Sequence, residues 1–588
     1  MKKINENKKK DNKKEEEKEE CHRLFNLPSE WRPETSNDAE VEKALKAFKD
    51  GVIHHRSRFM KPSPSNLMPS QFETIRQLTD NNKIMVIESD KNLGGATVYR
   101  EEYMQRAIEE HLGDPRVYKR LTKDEAMFKQ QCVVCKIRAF VTQHDIKEGE
   151  GSWLYEKSKL NYDATLPRFR MTIKCHKDPP KYRPIVCCAG TLLNDLSIWL
   201  DFHLKKLLHL LPCYLRDSND LLRKLRELGT LPPGAKLFSA DAISMYTNID
   251  FDHAIEEITL WFKRLAHDGR LPAEFPTKAV LAAMRIVMTN NVFQWGDCYF
   301  LQLQGTAMGT SSACMWATIY YAVHEVSTLL PIYENNLIQL VRFIDDMFGV
   351  FVPNNDINAN YIQDHSTIQF QEFVNDLTFG NLEWDDIVYG DSLNFLNLNI
   401  SIDSTNRIVT KSYQKPLNLY QYIPPHSAHP PHMMRGIIYS LMRNYKLQNT
   451  YESDYIKMAK LLFERHVARG WDQGIMKEYI LAADYKLRQN PPKLVKPTFE
   501  IYGEESNYVR DCFYLPWEFH PGDLPRQGFQ QLFKTYLGPI LMEKLGYNRL
   551  VVAYSRPKNI RESLTKAKLY QVPGKEASKY YTGGSAGS

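Results

Sequence analysis

Two adjacent acids, Asp345-Asp346, stand between two apolar runs, Leu340 to Ile344 and Met347 to Val352. That pattern reads as two strands joined by a two-residue hairpin turn, with the acids as the turn. Like charges at such a tip repel, and burial raises the pKa of each carboxyl. A divalent cation removes that cost, and hard oxygen ligands at a rigid turn suit Mg²⁺. Asp is common in turns, so the pair alone would be ordinary. It has company, because Asp241 closes another apolar strand, Leu237 to Ala240. A helix N-cap would account for Asp241 taken singly. Acids ending separate strands of one sheet can instead converge on shared metals, where two ions ~3.5–4 Å apart clamp the oxygens of phosphoryl transfer.

Further candidates surround this pair. Tyr246 follows Asp241, leading into Thr247-Asn248-Ile249. The run Gln304-Gly305-Thr306-Ala307-Met308-Gly309-Thr310-Ser311 is rich in small residues that let backbone approach a nucleotide, although a simple Gly-rich turn would look alike. Ser311-Ser312 then start a helix expected to reach Leu330 and stop at Pro331. A basic hairpin is expected from Arg168 to Lys174 and from Tyr182 to Val186, and another from Ile84 to Ile87 and Ala96 to Tyr99. Helices are expected over Glu101 to Leu112, through 191–228 and from 433 onward. Strands are expected over Asn394 to Ile402 and Ile408 to Tyr413.

At 588 residues the chain has room for roughly four domains of ~150 residues, which excludes a peptide hormone or a single small module. A net charge of +6 leaves any case for nucleic acid to local charge distribution. The ten cysteines show no regular spacing and no apolar signal segment precedes them, so free thiols in a reducing compartment are expected. No run approaches ~18 apolar residues, so no membrane span is expected.

In this order the pieces resemble the palm of a reverse transcriptase. Ser239-Ala240-Asp241-Ala242-Ile243-Ser244-Met245-Tyr246-Thr247-Asn248-Ile249 resembles that family's first catalytic motif, Gln304 to Ser312 the second, and Arg342-Phe343-Ile344-Asp345-Asp346 the third. Asp90-Lys91-Asn92-Leu93-Gly94, Phe395-Leu396-Asn397-Leu398, Tyr413-Gln414-Lys415-Pro416, Arg435-Gly436-Ile437-Ile438, Arg469-Gly470-Trp471 and Ser555-Arg556-Pro557-Lys558-Asn559-Ile560 extend the likeness. Together they resemble the reverse transcriptases of Penelope-like retroelements, relatives of telomerase, from about residue 80 to 570.

The resemblance implies an α+β right-hand polymerase with fingers, palm and thumb. The expected spans are a disordered charged tail over 1–24, a mixed N-terminal accessory region over 25–165, fingers over 166–235, palm over 236–415 and thumb over 416–490. A helical C-terminal extension follows over 491–572, and 573–588 reads as a tail or cloning scar. Asp241, Asp345 and Asp346 are the implied catalytic acids, with Asp241 and Asp345 holding two Mg²⁺ ions, for which Mn²⁺ is a substitute. Tyr246 is the implied ring under the sugar that excludes a ribose 2′-OH, and Gln304 the implied dNTP contact. Lys174 and Arg183 are the implied triphosphate cations, against an ordinary reading as solvated charges. Tyr413 and Lys415 are the implied primer grip.

The implied activity is that of an RNA-directed DNA polymerase extending a primer 3′-OH on an RNA template, in target-primed reverse transcription. Its partners would be the element's own transcript, primer or target DNA, dNTPs and a nuclease supplied separately, since 571–588 is too short for the GIY-YIG endonuclease of many relatives. A nuclear location is expected. The alternatives are a non-catalytic nucleic-acid scaffold and an RNA-dependent RNA polymerase. A bulky Tyr246 speaks against the latter.

Other clusters carry less. Cys132-x-x-Cys135 has zinc spacing but no second pair, and Cys175-His176 is distant. His426, His429 and His432 recur among prolines that forbid a regular helix.

Overall fold

Apolar runs bounded by Gly, Pro and acid set the strands. A computed structural model describes residues 38–59, 67–160 without 145, 166–353 without 176 and 273, 362–494 without 417 and 431, 512–556 without 521 and 522, and 559–565. The tails expected at 1–24 and 573–588 lie outside the described residues. In chain order the strands are β1 (Ile84–Glu88), β2 (Gly95–Tyr99), β3 (Tyr118–Leu121), β4 (Arg168–Lys174), β5 (Lys181–Cys187), β6 (Lys236–Ala242), β7 (Val292–Trp295) and β8 (Cys298–Gln302). They continue with β9 (Leu337–Phe343), β10 (Asp346–Phe351), β11 (Trp384–Gly390), β12 (Ser392–Phe395), β13 (Leu398–Ile402), β14 (Ile408–Ser412), β15 (Cys512–Glu518) and β16 (Arg549–Ser555).

The central sheet has the order β11-β6-β10-β9 and is antiparallel throughout. Side chains alternate across it. Phe238 and Ala240 of β6 and Met347 of β10 enter one core with helices Leu192–Lys205, Phe251–His267, Thr277–Thr289 and Ala313–His324. Trp199 and Trp316 are fully buried there. Leu237, Phe348 and Val350 enter a second core on the opposite face, with Leu393, Leu398 and Ile400 of the β12-β13-β14 sheet. By the same alternation Asp241 and Asp346 lie on this second face, opposite those four helices.

A five-stranded sheet, β3-β8-β7-β4-β5, stands beside the palm sheet. Its core joins Phe169, Met171, Ile173, Phe293 and Trp295 to Met85, Ile87 and Val98 of the β1–β2 hairpin. Helices Met433–Gln448, Glu452–Ala468 and Gln473–Gln489 form their own core around Ile438, Met442, Tyr455, Leu462 and Met476. That bundle is tied to β14, where Ser412 N–H donates to Asn449 Oδ1 at 3.0 Å and Thr450 N–H to the Thr410 carbonyl at 2.9 Å. The layout is the fingers, palm and thumb of an α+β right-hand polymerase.

The two ends of the described chain share a core. Helix Ala39–Phe59 places Val41, Ala44, Phe48 and Val52 against Leu524, Phe529, Phe533, Leu537, Leu541 and Leu550. Lys544 adds ion pairs to Asp38 and to Glu40, the latter at 2.9 Å. The C-terminal extension is helical over Arg526–Leu532 and Gly538–Leu545, and also carries β15 and β16 as a parallel pair that sequence reading did not place.

Local readings change in three places. Asp346 belongs to β10 and pairs with Phe343, so the turn is Ile344-Asp345 rather than Asp345-Asp346. Ile344 takes the left-handed region (φ 61°), an unusual choice for a β-branched residue. The run Asn394 to Ile402 is two strands, β12 and β13, because Leu396 also turns left-handed (φ 53°). Pro331 does not end its helix. The helix passes through a π-turn at Glu325–Leu329 and ends at Ile332, one residue past Pro331. Among the described residues no helix is long and apolar enough to cross a membrane.

Candidate active site

Register places the acids. In the β6–β10 ladder Asp346 lies directly opposite Asp241. Side chains opposite each other share a face, so the two carboxyls meet, and each is within hydrogen-bond reach of the other. Asp345 sits one position earlier, in the turn, where its carbonyl accepts the Ala242 N–H at 2.9 Å. The structure therefore brings all three predicted acids to one end of the palm sheet.

A buried cation holds the turn from behind. Arg342 is 1% exposed. Its Nη1 donates to the Ile344 carbonyl at 2.8 Å, its Nη2 to the Thr318 carbonyl at 2.9 Å, and its Nε to Glu325 Oε1 at 2.5 Å. The guanidinium also lies over the Tyr321 ring, 4.9 Å from its centroid. Glu325, equally buried, begins the π-turn noted above. In the sequence Arg342 stands out only as part of a motif, and Glu325 does not stand out at all. The available signal was a lone Arg inside an apolar strand, which needs a buried partner.

Burial raises the Asp346 carboxyl to about 7, and the Asp345 and Asp241 charges push the same way, while Lys415 opposes. Burial also raises Asp241, with Asp386 and Asp345 adding to the rise and Lys91 countering it. Asp386 is a residue that sequence reading missed. Its neighbour Asp385 pairs with Asp241 in the β11–β6 ladder, and Asp386 turns left-handed (φ 49°) where the register shifts. The acid pair Asp385-Asp386 was visible in the sequence, but nothing there said that it lies beside Asp241.

Among the described residues no three acids, histidines or cysteines are gathered so that they alone could hold a metal. The donor set still fits Mg²⁺, which is commonly held by one or two carboxylates together with substrate phosphates. The mutually raised carboxyls are the observation that supports the fit, since adjacent acids keep protons when no cation neutralises them.

A pH dependence follows. The Asp346 pKa in the fold lies above its unfolded value near ~4, so the folded state binds the extra proton between about 4 and about 7. This group's contribution to stability is therefore greatest at low pH and falls as pH rises through that window. A cation replaces the proton, so Mg²⁺ should raise the melting temperature more at pH 8 than at pH 6. In Asp346→Asn the Mg²⁺ shift should shrink and lose its pH dependence. Thermal melts at both pH values, with and without Mg²⁺, check this.

The Tyr246 side of the site is built by backbone contacts that exclude side chains. Gly305 (φ 70°) lies against the Tyr246–Thr247 backbone, and a Cβ there would come within 2.2 Å of the Tyr246 carbonyl oxygen. Thr306 N–H donates to that oxygen at 2.6 Å. Gly309 (φ 124°) lies against β5, where a Cβ would come within 2.1 Å of the Val186 carbonyl oxygen, and Val186 N–H donates to the Met308 carbonyl. The Gly305–Gly309 loop thus pins the Tyr246–Thr247 backbone to β5. Tyr246 is half-buried beside Cys314 and feels both Asp345 and Arg183; burial raises its pKa. The Gln304 amide donates to the Asn248 carbonyl at 3.1 Å, so in this state its side chain braces the loop.

Comparison of the sequence with protein-family models and with characterised proteins finds no match. Solved structures do align. Telomerase from Candida albicans, in complex with a TWJ fragment of telomeric RNA, is 11% identical with a TM-score of 0.46, and the match covers 69% of this chain and 64% of that one. Apo telomerase from Candida tropicalis is 11% identical with a TM-score of 0.41, covering 76% of this chain and 78% of that one. The RNA-dependent RNA polymerase of a human picobirnavirus is 10% identical with a TM-score of 0.40, covering 81% and 94%. Such distant likeness carries no chemistry across, and the site stands on its own residues.

Lys174 and Arg183 are diagonal neighbours on one face of the β4–β5 hairpin near its turn, Lys174 opposite Lys181 and Arg183 opposite Thr172. Burial lowers the Lys174 pKa, and the Arg183 charge lowers it further. Arg183 Nη1 pairs with Asp90 Oδ1 at 3.3 Å. On the other side, Lys415 lies close enough to Asp346 to stabilise its charge. The Tyr413 N–H donates to the Asn397 carbonyl at 2.9 Å, and Arg465 of the thumb reaches Gln414 at 2.6 Å. Of the discounted clusters, Cys132, Cys135 and Cys175 are free thiols, and His176 lies outside the described residues. His429 Nδ1 meets Ser427 Oγ at 2.8 Å, while the His432 ring lies near Tyr554.

Proposed function

We propose that the chain is an RNA-directed DNA polymerase of the Penelope-like kind, extending a primer 3′-OH on an RNA template with dNTPs. The observation that carries this is the pairing of Asp241 with Asp346, with Asp345 and the half-buried Tyr246 at the same end of the sheet. Asp241 and Asp345 would hold Mg²⁺, with Asp346 completing the acidic set. Bound there, Mg²⁺ supplies a lowered pKa for the primer hydroxyl and charge neutralisation at the leaving pyrophosphate. Arg183 offers a bidentate fork to phosphate and Lys174 a point charge. Lys415, within electrostatic reach of Asp346, and Tyr413 would grip the primer. Tyr246 is the ring that would exclude a ribose 2′-OH, which would favour dNTPs over rNTPs and a DNA product over RNA. In the cell this reading gives retroelement copying in the nucleus, primed at a DNA end that a separate nuclease exposes.

The test is extension of a DNA primer on an RNA template, with dNTPs and rNTPs assayed separately. The wild type should use dNTPs. Tyr246→Ala should lower the dNTP/rNTP ratio of kcat/KM by roughly 10-fold or more, because the smaller side chain no longer excludes the 2′-OH. An unchanged ratio would reduce Tyr246 to a packing aromatic. Extension by rNTPs alone would select the RNA polymerase reading.

A further inference from the structure

The β1–β2 tip lies outside the fingers and palm strands, yet it meets both. Its base is fastened to the fingers. Ser89 bridges Ile173 next to Lys174, and Glu88 pairs with Arg170 at 3.1 Å. Its bend is closed by Ser89, whose N–H and Oγ both donate to the Gly94 carbonyl, at 3.1 and 2.6 Å. Within the bend, Asp90 points inward. Its side chain is 11% exposed, one oxygen holds Arg183 and the other, Oδ2, is buried without a hydrogen-bond partner.

Lys91 points outward. It is exposed, and among the described residues it makes no ion pair or hydrogen bond. Its charge nonetheless acts on Asp241 and on Lys174, so it is within electrostatic reach of a palm acid and of a fingers cation. It holds this place in the left-handed region (φ 57°), where a residue with a Cβ sits at a cost that function often explains.

We propose that the β1–β2 tip is a third wall of the nucleotide site. Lys91 contacts the triphosphate of the incoming nucleotide, and Asp90 is a positioning residue that aims the Arg183 fork at the same group. The idea rests on the polymerase reading, and deepens it by adding a phosphate cation from a segment outside the fingers hairpin. Lys91 holds no ion pair among the described residues, and its left-handed backbone is one a glycine would adopt at lower cost. It does suit a polyanion that is present only when substrate is bound.

Single-nucleotide extension by the full chain on a preformed primer–template tests this. Lys91→Gly removes the charge and also suits the left-handed backbone, so the fold should be as stable as wild type or more so. Its KM for dNTP should rise about 10- to 100-fold, the worth of one charge-assisted hydrogen bond. The change in kcat and in primer–template affinity should be smaller, and Lys91→Arg should recover most of the loss. Asp90→Asn should raise KM in the same direction. A dNTP KM unchanged in Lys91→Gly, or a loss confined to Mg²⁺ dependence or template affinity, would overturn the proposal while leaving the polymerase reading standing. Inorganic tripolyphosphate binding, followed by thermal shift, separates the two ideas. It should stabilise the wild type and not Lys91→Gly even if no extension is seen, whereas equal shifts in both would overturn the subsite.

Discussion

Asp241→Asn should lose at least ~10³-fold in primer-extension rate while binding primer–template with near wild-type affinity. The substitution keeps shape and removes one negative charge from the ladder position facing Asp346. That charge does its work only where phosphate and cation meet, so the loss should fall on kcat rather than on duplex binding. The same change should lower the Asp346 pKa, since one of the charges raising it is gone. Metal-free Asp241→Asn should therefore lose less stability than wild type between pH 6 and 8. A variant with wild-type turnover would remove Asp241 from the catalytic set.

Arg342→Met should cost about 3–5 kcal/mol of folding stability, because it leaves Glu325 charged and buried without its partner. It should also cost activity, since the Ile344 carbonyl loses the donor that fixes the turn bearing Asp345. The paired variant Arg342→Met with Glu325→Leu should recover most of the stability, because no unpaired charge is left. It should not recover the rate, because the Ile344 carbonyl still has no donor. Denaturant unfolding and extension assays on the same three proteins distinguish the two effects. Recovery of both together would mean that the pair matters for folding alone.

The sequence made much of this frame visible. Apolar runs ending in acid located β6, β9 and β10, and small residues located the Gly305–Gly309 loop. The turn was misplaced by one residue for a physical reason. Two-residue turns are recognised by Gly, Asn or Asp at the left-handed position, and here Ile344 holds it. Leu396 does likewise, so β12 and β13 read as one strand, whereas Asp386 is of a type that takes this conformation readily but nothing in the sequence set its bend beside Asp241. At Ile344 the compensation is tertiary, from Arg342, Glu325 and Thr318, residues scattered along the chain. The parallel β15–β16 pair was equally hidden. Its strands are separated by two helices, and Pro516 interrupts the first.

The shared core of the two chain ends has a consequence for synthesis. Asp38 and its partner Lys544 are 506 positions apart. At roughly 5–20 residues per second, a ribosome needs about 25–100 s to deliver the second after the first. For that time the apolar stripe of Val41, Ala44, Phe48 and Val52 has no native surface to cover. Fingers, palm and thumb can assemble while the helix waits for residues 524–550. Ribosomes that stall before residue 524 should release a protein with a formed palm sheet and an uncovered helix Ala39–Phe59.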